Sequence, residues 1–243
     1  MKKVLGCMRK ADEDWDLIND NDVIAIGISG GKDSLLMTKA LSLYRLFSQK
    51  NFKIIGITVD LGFEGTDFSK VEEFCKELEV EYHVVKTQIG EIIFDIRKEK
   101  NPCSLCAKMR KGALYEKAKE LGCNKVALGH HRDDLIDTFM LSLLYEGQLN
   151  ALKPKMYLSR RDITAIRPLI YLPECYVVKN IDKQNLPVVE SPCPANGETK
   201  RDEIRDLVSL MCSKFPDFKD KVFTAIYGDH NYNLWDNKAK KED

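Results

Sequence analysis

Long apolar runs are missing from this chain. No stretch approaches ~18 apolar residues, so a membrane-spanning helix is not expected. The start, Met1-Lys2-Lys3-Val4-Leu5-Gly6-Cys7, runs into acidic residues without an apolar core, so it does not read as a signal peptide. Net charge is also missing: 38 Lys and Arg balance 38 Asp and Glu. A surface that is basic overall is thereby excluded, and any polyanion site must be a local patch. Eight cysteines in 243 residues are too few for a disulfide scaffold. A reducing, cytosolic setting is expected, with the cysteines as core thiols, metal ligands or reactive groups. Internal repeats and low-complexity linkers are not seen either.

What is present is an alternation of strands and helices. Residues 1–21 read as a helical lead-in. Val23 to Ile28 is a short β-branched run with Asn and Asp before it and Ser-Gly-Gly after it, the pattern of a buried strand. Ser34 to Gln49 has helical periodicity, with Leu35, Leu36, Ala40, Leu43 and Leu46 on one side. Further strands are expected at Lys53–Val59, Tyr82–Val85, Lys125–Leu128 and Ile163–Ile166. Helices are expected at Ser69–Leu78, from just after Cys103 to Leu121, and at Asp134–Tyr145. This order predicts an α/β fold with an open, doubly wound parallel sheet over residues 22–212, followed by a tail at 213–243. Tyr227, Tyr232 and Trp235 in that tail have no function assigned to them. Ligands bind such sheets at the carboxyl ends of the strands, here just after residues 28, 59, 85 and 128.

The first of these places holds Ser29-Gly30-Gly31-Lys32-Asp33-Ser34. Glycines let a phosphate approach the backbone, and the helix that follows offers free N–H groups and its positive end. The hydroxyls of Ser29 and Ser34 and the ammonium of Lys32 add donors. The spacing is not that of a Walker A loop. The hexapeptide resembles the PP-loop of the ATP pyrophosphatases, which cleave ATP between the α- and β-phosphates. The resemblance implies that residues 29–34 contact ATP and hold the departing pyrophosphate. It also brings Asp60, at the end of the second strand, near the nucleotide or Mg²⁺; by itself Asp60 reads equally as a turn cap.

The fourth strand runs into Gly129-His130-His131-Arg132-Asp133-Asp134. Adjacent carboxylates at a strand end suit Mg²⁺, which takes one or two carboxylates plus phosphate oxygens. Asp134 is the leading candidate and Asp133 the next. His130 is a candidate base or phosphate contact. The plain alternative makes Asp133 a helix cap, Asp134 a first-turn residue, and His131 and Arg132 solvated side chains. The segment resembles the second motif of the PP-loop enzymes that thiolate tRNA.

Cys103-Ser104-Leu105-Cys106 opens a helix and lies close to Lys108, Arg110 and Lys111. The pair reads as a redox couple, half of a zinc site, or part of an iron–sulfur site. The remaining cysteines are all single. Cys75, Cys123, Cys175 and Cys212 are expected to be core thiols, and Cys7 is unassigned. Cys193 lies in the loop Ser191-Pro192-Cys193-Pro194-Ala195. A pair plus one loop cysteine gives three thiolates, enough to hold a [4Fe–4S] cluster with one iron open.

Asn101 to Gly112, Gly129 to Asp134 and Ile166-Arg167-Pro168-Leu169 together resemble the tRNA 2-thiocytidine synthetases, over about residues 22 to 210. That resemblance implies a [4Fe–4S] cluster on Cys103, Cys106 and Cys193, with ATP and Mg²⁺. It implies tRNA as substrate, a cysteine desulfurase or inorganic sulfide as sulfur donor, and a possible homodimer. A base carbonyl would be adenylated and its oxygen replaced by sulfur, with Arg110 or Lys111 neutralising charge nearby. The family's later motif is usually a second C-x-x-C, whereas this chain has Cys193-Pro194-Ala195-Asn196. That departure leaves room for another base or for a small-molecule substrate. An iron–sulfur redox or sensor protein on the same fold is the reading from a different class. Two basic groups, Arg97, Lys98, Lys100, Lys108, Arg110, Lys111 and Lys153, Lys155, Arg160, Arg161, Arg167, are candidate RNA contacts. Lys200, Arg201 and Arg205 extend the second.

Overall fold

A computed structural model describes residues 1–99, 102–189, 192–194 and 199–228. Lys100, Asn101, Ser191, Ala195, Asn196, Tyr232 and Trp235 lie outside the described residues.

The apolar run at Val23–Gly27 becomes β1 at the centre of the sheet. Ile24, Ala25 and Ile26 are all fully buried, as a strand covered on both faces requires. Around it stand β2 (Lys53–Asp60), β3 (Glu81–Lys86), β4 (Lys125–Ala127), β5 (Lys155–Leu158) and β6 (Ile163–Ile166). The order is β3-β2-β1-β4-β6-β5. All neighbouring pairs are parallel except β5 with β6. The expected doubly wound sheet is therefore present with one antiparallel edge strand that the sequence reading did not foresee. Lys155-Met156-Tyr157-Leu158 is short and half polar, so its pattern carries little strand signal.

The period-2 alternation of β1 divides the core. Ile24 and Ile26 pack with α1 (Lys2–Trp15), α2 (Lys32–Tyr44), α3 (Ser69–Glu77) and α7 (Glu174–Ile181) on one face. Ala25 packs with Leu114, Tyr115 and Ala118 of α5 (Pro102–Glu120) on the other. Ile136 of α6 (Arg132–Leu141) meets Ile204 and Val208 of α8 (Lys200–Lys214) in a third cluster. A short helix, α4 (Ile89–Glu91), runs into a wide turn at Ile92–Ile96. The final described helix, α9 (Phe218–Tyr227), lies within the stretch read as a tail and packs on α6 and α8.

Some boundaries and burials differ from expectation. α2 stops at Tyr44, and Leu46 is 75% exposed rather than on the buried stripe. α6 begins at Arg132 and yields to a wide turn at Ser142–Glu146. Cys75 and Cys123 are buried, as expected of core thiols. Cys175 is exposed on α7, and Cys212 is only partly buried.

Candidate active site

The order β2-β1-β4 makes the gap between β1 and β4 a switch point, where the connections leave towards opposite sides of the sheet. A cavity of ≈310 Å³ opens there. Three of the four expected strand ends reach it: Ser29, Asp33 and Ser34 after β1, Leu61 and Phe63 after β2, and Gly129 and His130 after β4. The end of β3 is instead occupied in bracing β2, where the Thr87 hydroxyl donates to the Asp60 carbonyl at 2.7 Å.

The loop at 29–34 is held by its own hydroxyls. The Ser29 amide donates to Ser34 Oγ at 3.1 Å, the Gly31 amide to Ser29 Oγ at 3.3 Å, and Ser34 Oγ to the Gly31 carbonyl at 2.9 Å. Gly30 has φ +81°, and a Cβ there would stand 3.1 Å from Val189 Cβ, so both space and conformation call for glycine. Gly129 meets the loop from the other side: its Cβ would lie 3.1 Å from the Ser34 amide nitrogen. The absent side chain at 129 thus lets the β4 loop touch the start of α2.

Lys32 does not line the cavity. Its Nζ lies between Asp33 Oδ2 at 3.2 Å and Glu174 Oε1 at 3.1 Å. Burial alone would lower the Lys32 pKa, but the two carboxylates outweigh it and raise it. Asp33 is the reverse: burial raises its carboxyl above the usual range against the pull of His131 and Lys32. Its Oδ1 is buried without a hydrogen bond among the described residues and lies 3.5 Å from His131 Nε2.

His131 and Arg132 are not solvated. His131 is 1% exposed and caps α6: its Nδ1 accepts from the Asp134 amide at 3.4 Å, while the His131 amide donates to Asp134 Oδ2 at 3.1 Å. The cap expected of Asp133 is therefore His131's. Arg132 pairs with Asp220 at 2.7 Å and covers the Phe223 ring. Asp133 faces away from the cavity, accepting from the Glu174 amide and from Lys219 Nζ, each at 2.7 Å. Burial would raise its pKa, but these hydrogen bonds win and lower it. Asp134 lines the cavity, with Oδ1 3.6 Å from Arg205 and 4.0 Å from Arg201. Asp60 does not line it; its Oδ1 accepts from the Gly62 amide at 2.9 Å as a turn cap.

His130 borders the cavity with a buried Nδ1 that has no hydrogen bond among the described residues. Burial first, and then the positive charge of Arg167, hold its pKa far below 6.5 and keep the ring neutral. Arg110 and Lys111 also line the cavity. Partial burial and the nearby guanidinium groups of Arg167, Arg110 and Arg201 lower the Lys111 pKa.

Cys103 and Cys106 lie in the first turn of α5. Burial raises the Cys106 thiol, Arg110 opposes, and the charges of Cys193 and Cys103 raise it further. The three cysteines are thus electrostatic neighbours, although among the described residues no three His, Cys, Asp or Glu side chains stand in a metal-holding arrangement. The thiols adjoin the cavity through Pro192, next to Cys193, and Arg110, one turn past Cys106.

A family model for a PP-loop domain matches residues 7–211. The chain belongs to the PP-loop family. Its relatives include a tRNA-cytidine(32) 2-sulfurtransferase from Citrifermentans bemidjiense, 35% identical over 93% of this chain and 90% of the relative. Another protein of that name, from Pelobacter propionicus, is 34% identical over 98% of this chain and 90% of the relative. Among solved structures, the U34-tRNA thiolase NcsA from Methanococcus maripaludis with its [4Fe-4S] cluster superposes with a TM-score of 0.75. It is 28% identical over 92% of this chain and 76% of that one. The Ser29–Ser34 motif lies within the matched span. Glu174 and Lys219, which bind PP-loop and His–Asp-loop residues, went unnoticed in the sequence because nothing local marks a contact with a distant residue.

Proposed function

We propose that this protein is an ATP-dependent tRNA sulfurtransferase that adenylates a base carbonyl and replaces its oxygen with sulfur, and that the base is a cytidine. One observation carries the reading: the PP-loop, Asp134 and the approach to the three cysteines share one cavity. The relatives named for cytidine(32) favour that base over the U34 of the thiolase, since they stand nearer in sequence.

ATP binds with its β- and γ-phosphates over residues 29–34. The free amides at the start of α2 and the Ser29 hydroxyl receive the phosphate oxygens, joined by the Ser34 hydroxyl when it turns from the Gly31 carbonyl. Lys32 turns from its carboxylates towards the pyrophosphate as negative charge grows there. The base oxygen attacks the α-phosphate, the bond to the β-phosphate breaks, and pyrophosphate leaves. Arg110 and Lys111 face the adenylated base and the AMP that departs later. Neutral His130 contributes a hydrogen bond without adding charge to a cavity already lined by Arg110 and Lys111.

Asp134 fits Mg²⁺. Its Oδ1 has guanidinium neighbours no closer than 3.6 Å, and Mg²⁺ needs few protein ligands when phosphates supply the rest. Cys103, Cys106 and Cys193 fit an iron–sulfur cluster by donor type, and Pro192 and Arg110 beside them line the cavity. A [4Fe–4S] cluster on these three thiolates would supply an open iron to carry sulfide. The sulfur comes as inorganic sulfide, or from a cysteine desulfurase whose persulfide a thiol reductant converts to sulfide, in the cytosol. Among the described residues no helix is long and apolar enough to cross a membrane.

Mass spectrometry of nucleosides from total tRNA, with and without the gene, tests this directly. Loss of 2-thiocytidine alone is expected. Loss of a different thionucleoside would move the assignment to that base, and an unchanged profile would remove tRNA as the substrate.

A further inference from the structure

A second concavity, of ≈620 Å³, lies between α1 and α9. Its walls are Lys2, Lys3, Lys10, Tyr171, Phe223 and Tyr227, and Gly6, with open space above it, forms part of the floor. The rings of Phe223 and Tyr227 are stacked at 5.6 Å and 5°, and Tyr171 meets both edge-on. Hydrogen bonds fix the wall. Trp15 Nε1 donates to the Tyr171 hydroxyl at 2.6 Å, and the Tyr171 and Tyr227 hydroxyls donate to Asp14 at 3.1 and 2.8 Å.

Around this groove three lysines stand against the one carboxylate of Asp14. Lys10 lies 3.5 Å from Asp14 and within 6 Å of two ring centroids. Lys2 and Lys3 have no carboxylate within ion-pair distance among the described residues. Lys2, Lys3, Gly6, Phe223 and Tyr227 all lie outside the span that the PP-loop family model matches. The groove is therefore built mostly from chain that flanks the shared domain. It also touches the His–Asp loop: Arg132 covers Phe223, and Lys219 of α9 donates to Asp133.

We propose that this groove is a second binding site for the RNA substrate. An unpaired base lies against the Phe223–Tyr227 wall, and its flanking phosphates face Lys2, Lys3 and Lys10. Every base has a face that stacks on an aromatic ring, and lysines beside such rings hold the backbone without reading sequence. An apolar peptide would not use the lysine rim, so charge complementarity favours RNA. The proposal rests on tRNA being the substrate.

The test is binding of an unmodified tRNA transcript to the full chain at several salt concentrations. Lys2→Ala with Lys3→Ala is expected to weaken binding about tenfold and to reduce the slope of log affinity against log salt by roughly 1.4 to 1.8, two phosphate contacts' worth. ATP affinity and melting temperature stay as in the wild type. Tyr227→Leu, which keeps an apolar filling, is expected to weaken binding by roughly fivefold to a hundredfold with no change of slope. Unchanged affinity and slope in the lysine variant, with wild-type protein binding normally, would overturn the groove. Loss of a dimer in sedimentation with RNA binding intact would overturn it too and give the groove to a second copy. If the wild type itself binds no tRNA, it is the functional reading that falls, and this proposal with it.

Discussion

Lys32 Nζ stands 3.1 Å from Glu174 Oε1, so a PP-loop ammonium is held by the first residue of a helix far along the chain. Phosphate oxygens must compete with Glu174 and Asp33 for it. Lys32→Met is expected to lower kcat/KM for ATP by about 100-fold, the scale seen when one charge-stabilising donor is removed. Glu174→Gln keeps an acceptor and is expected to cost under about tenfold. Steady-state pyrophosphate release measures both, and equal losses would show that Glu174 does more than hold Lys32.

Gly129→Ala sets a methyl 3.1 Å from the Ser34 amide nitrogen and 3.2 Å from the Asp33 carbonyl carbon. Backbone cannot yield as a side chain does. A destabilisation of about 1–3 kcal/mol is expected, together with weaker ATP binding. Denaturant melts and nucleotide titration check it; wild-type values in both would mean that the loop shifts freely.

The pH dependence of stability follows from His130. Unfolded, it takes up a proton below about 6.5; folded, burial and Arg167 keep it neutral to much lower pH. The unfolded state then binds more protons, so stability is full above about 6.5 and is lost as pH falls below it. The expected loss is at most about 1.4 kcal/mol per pH unit from this one group. His130→Asn should flatten that part of the curve, as read from denaturant midpoints at pH 7 and pH 5.

Cys106→Ser is expected to abolish the visible absorption of a reconstituted cluster and all thionucleoside formation. ATP binding should remain, because the thiol lies outside the cavity lining. Spectra, iron content and nucleotide titration separate these effects. A variant that keeps its iron would remove Cys106 from the ligand set.

Local pattern made much of the fold legible. The β-branched run of β1 and the double glycine after it announce a strand, a turn and a helix start within a dozen residues. The His–Asp motif was legible as a site but not in its details. A histidine cap is unusual, so the local pattern points to Asp133 as the cap, whereas His131 and Asp134 form the capping box. α8 had a readable start, since Thr199 and Asp202 form a capping box with the spacing of that motif. Contacts such as Lys219 with Asp133 had none, because a single sequence holds no record of which distant residues meet.

The antiparallel strand β5 also decides what the sheet presents to other molecules. Without it, β6 would end the sheet with unpaired amides and carbonyls beside Ile163, Ala165 and Ile166. In its place stands a four-residue border whose Lys155 is pinned to Asp16 at 3.2 Å. A short, lysine-bearing margin is a poor template for a strand from a neighbouring chain. On that side the molecule is guarded against edge-to-edge aggregation while its ligands enter elsewhere.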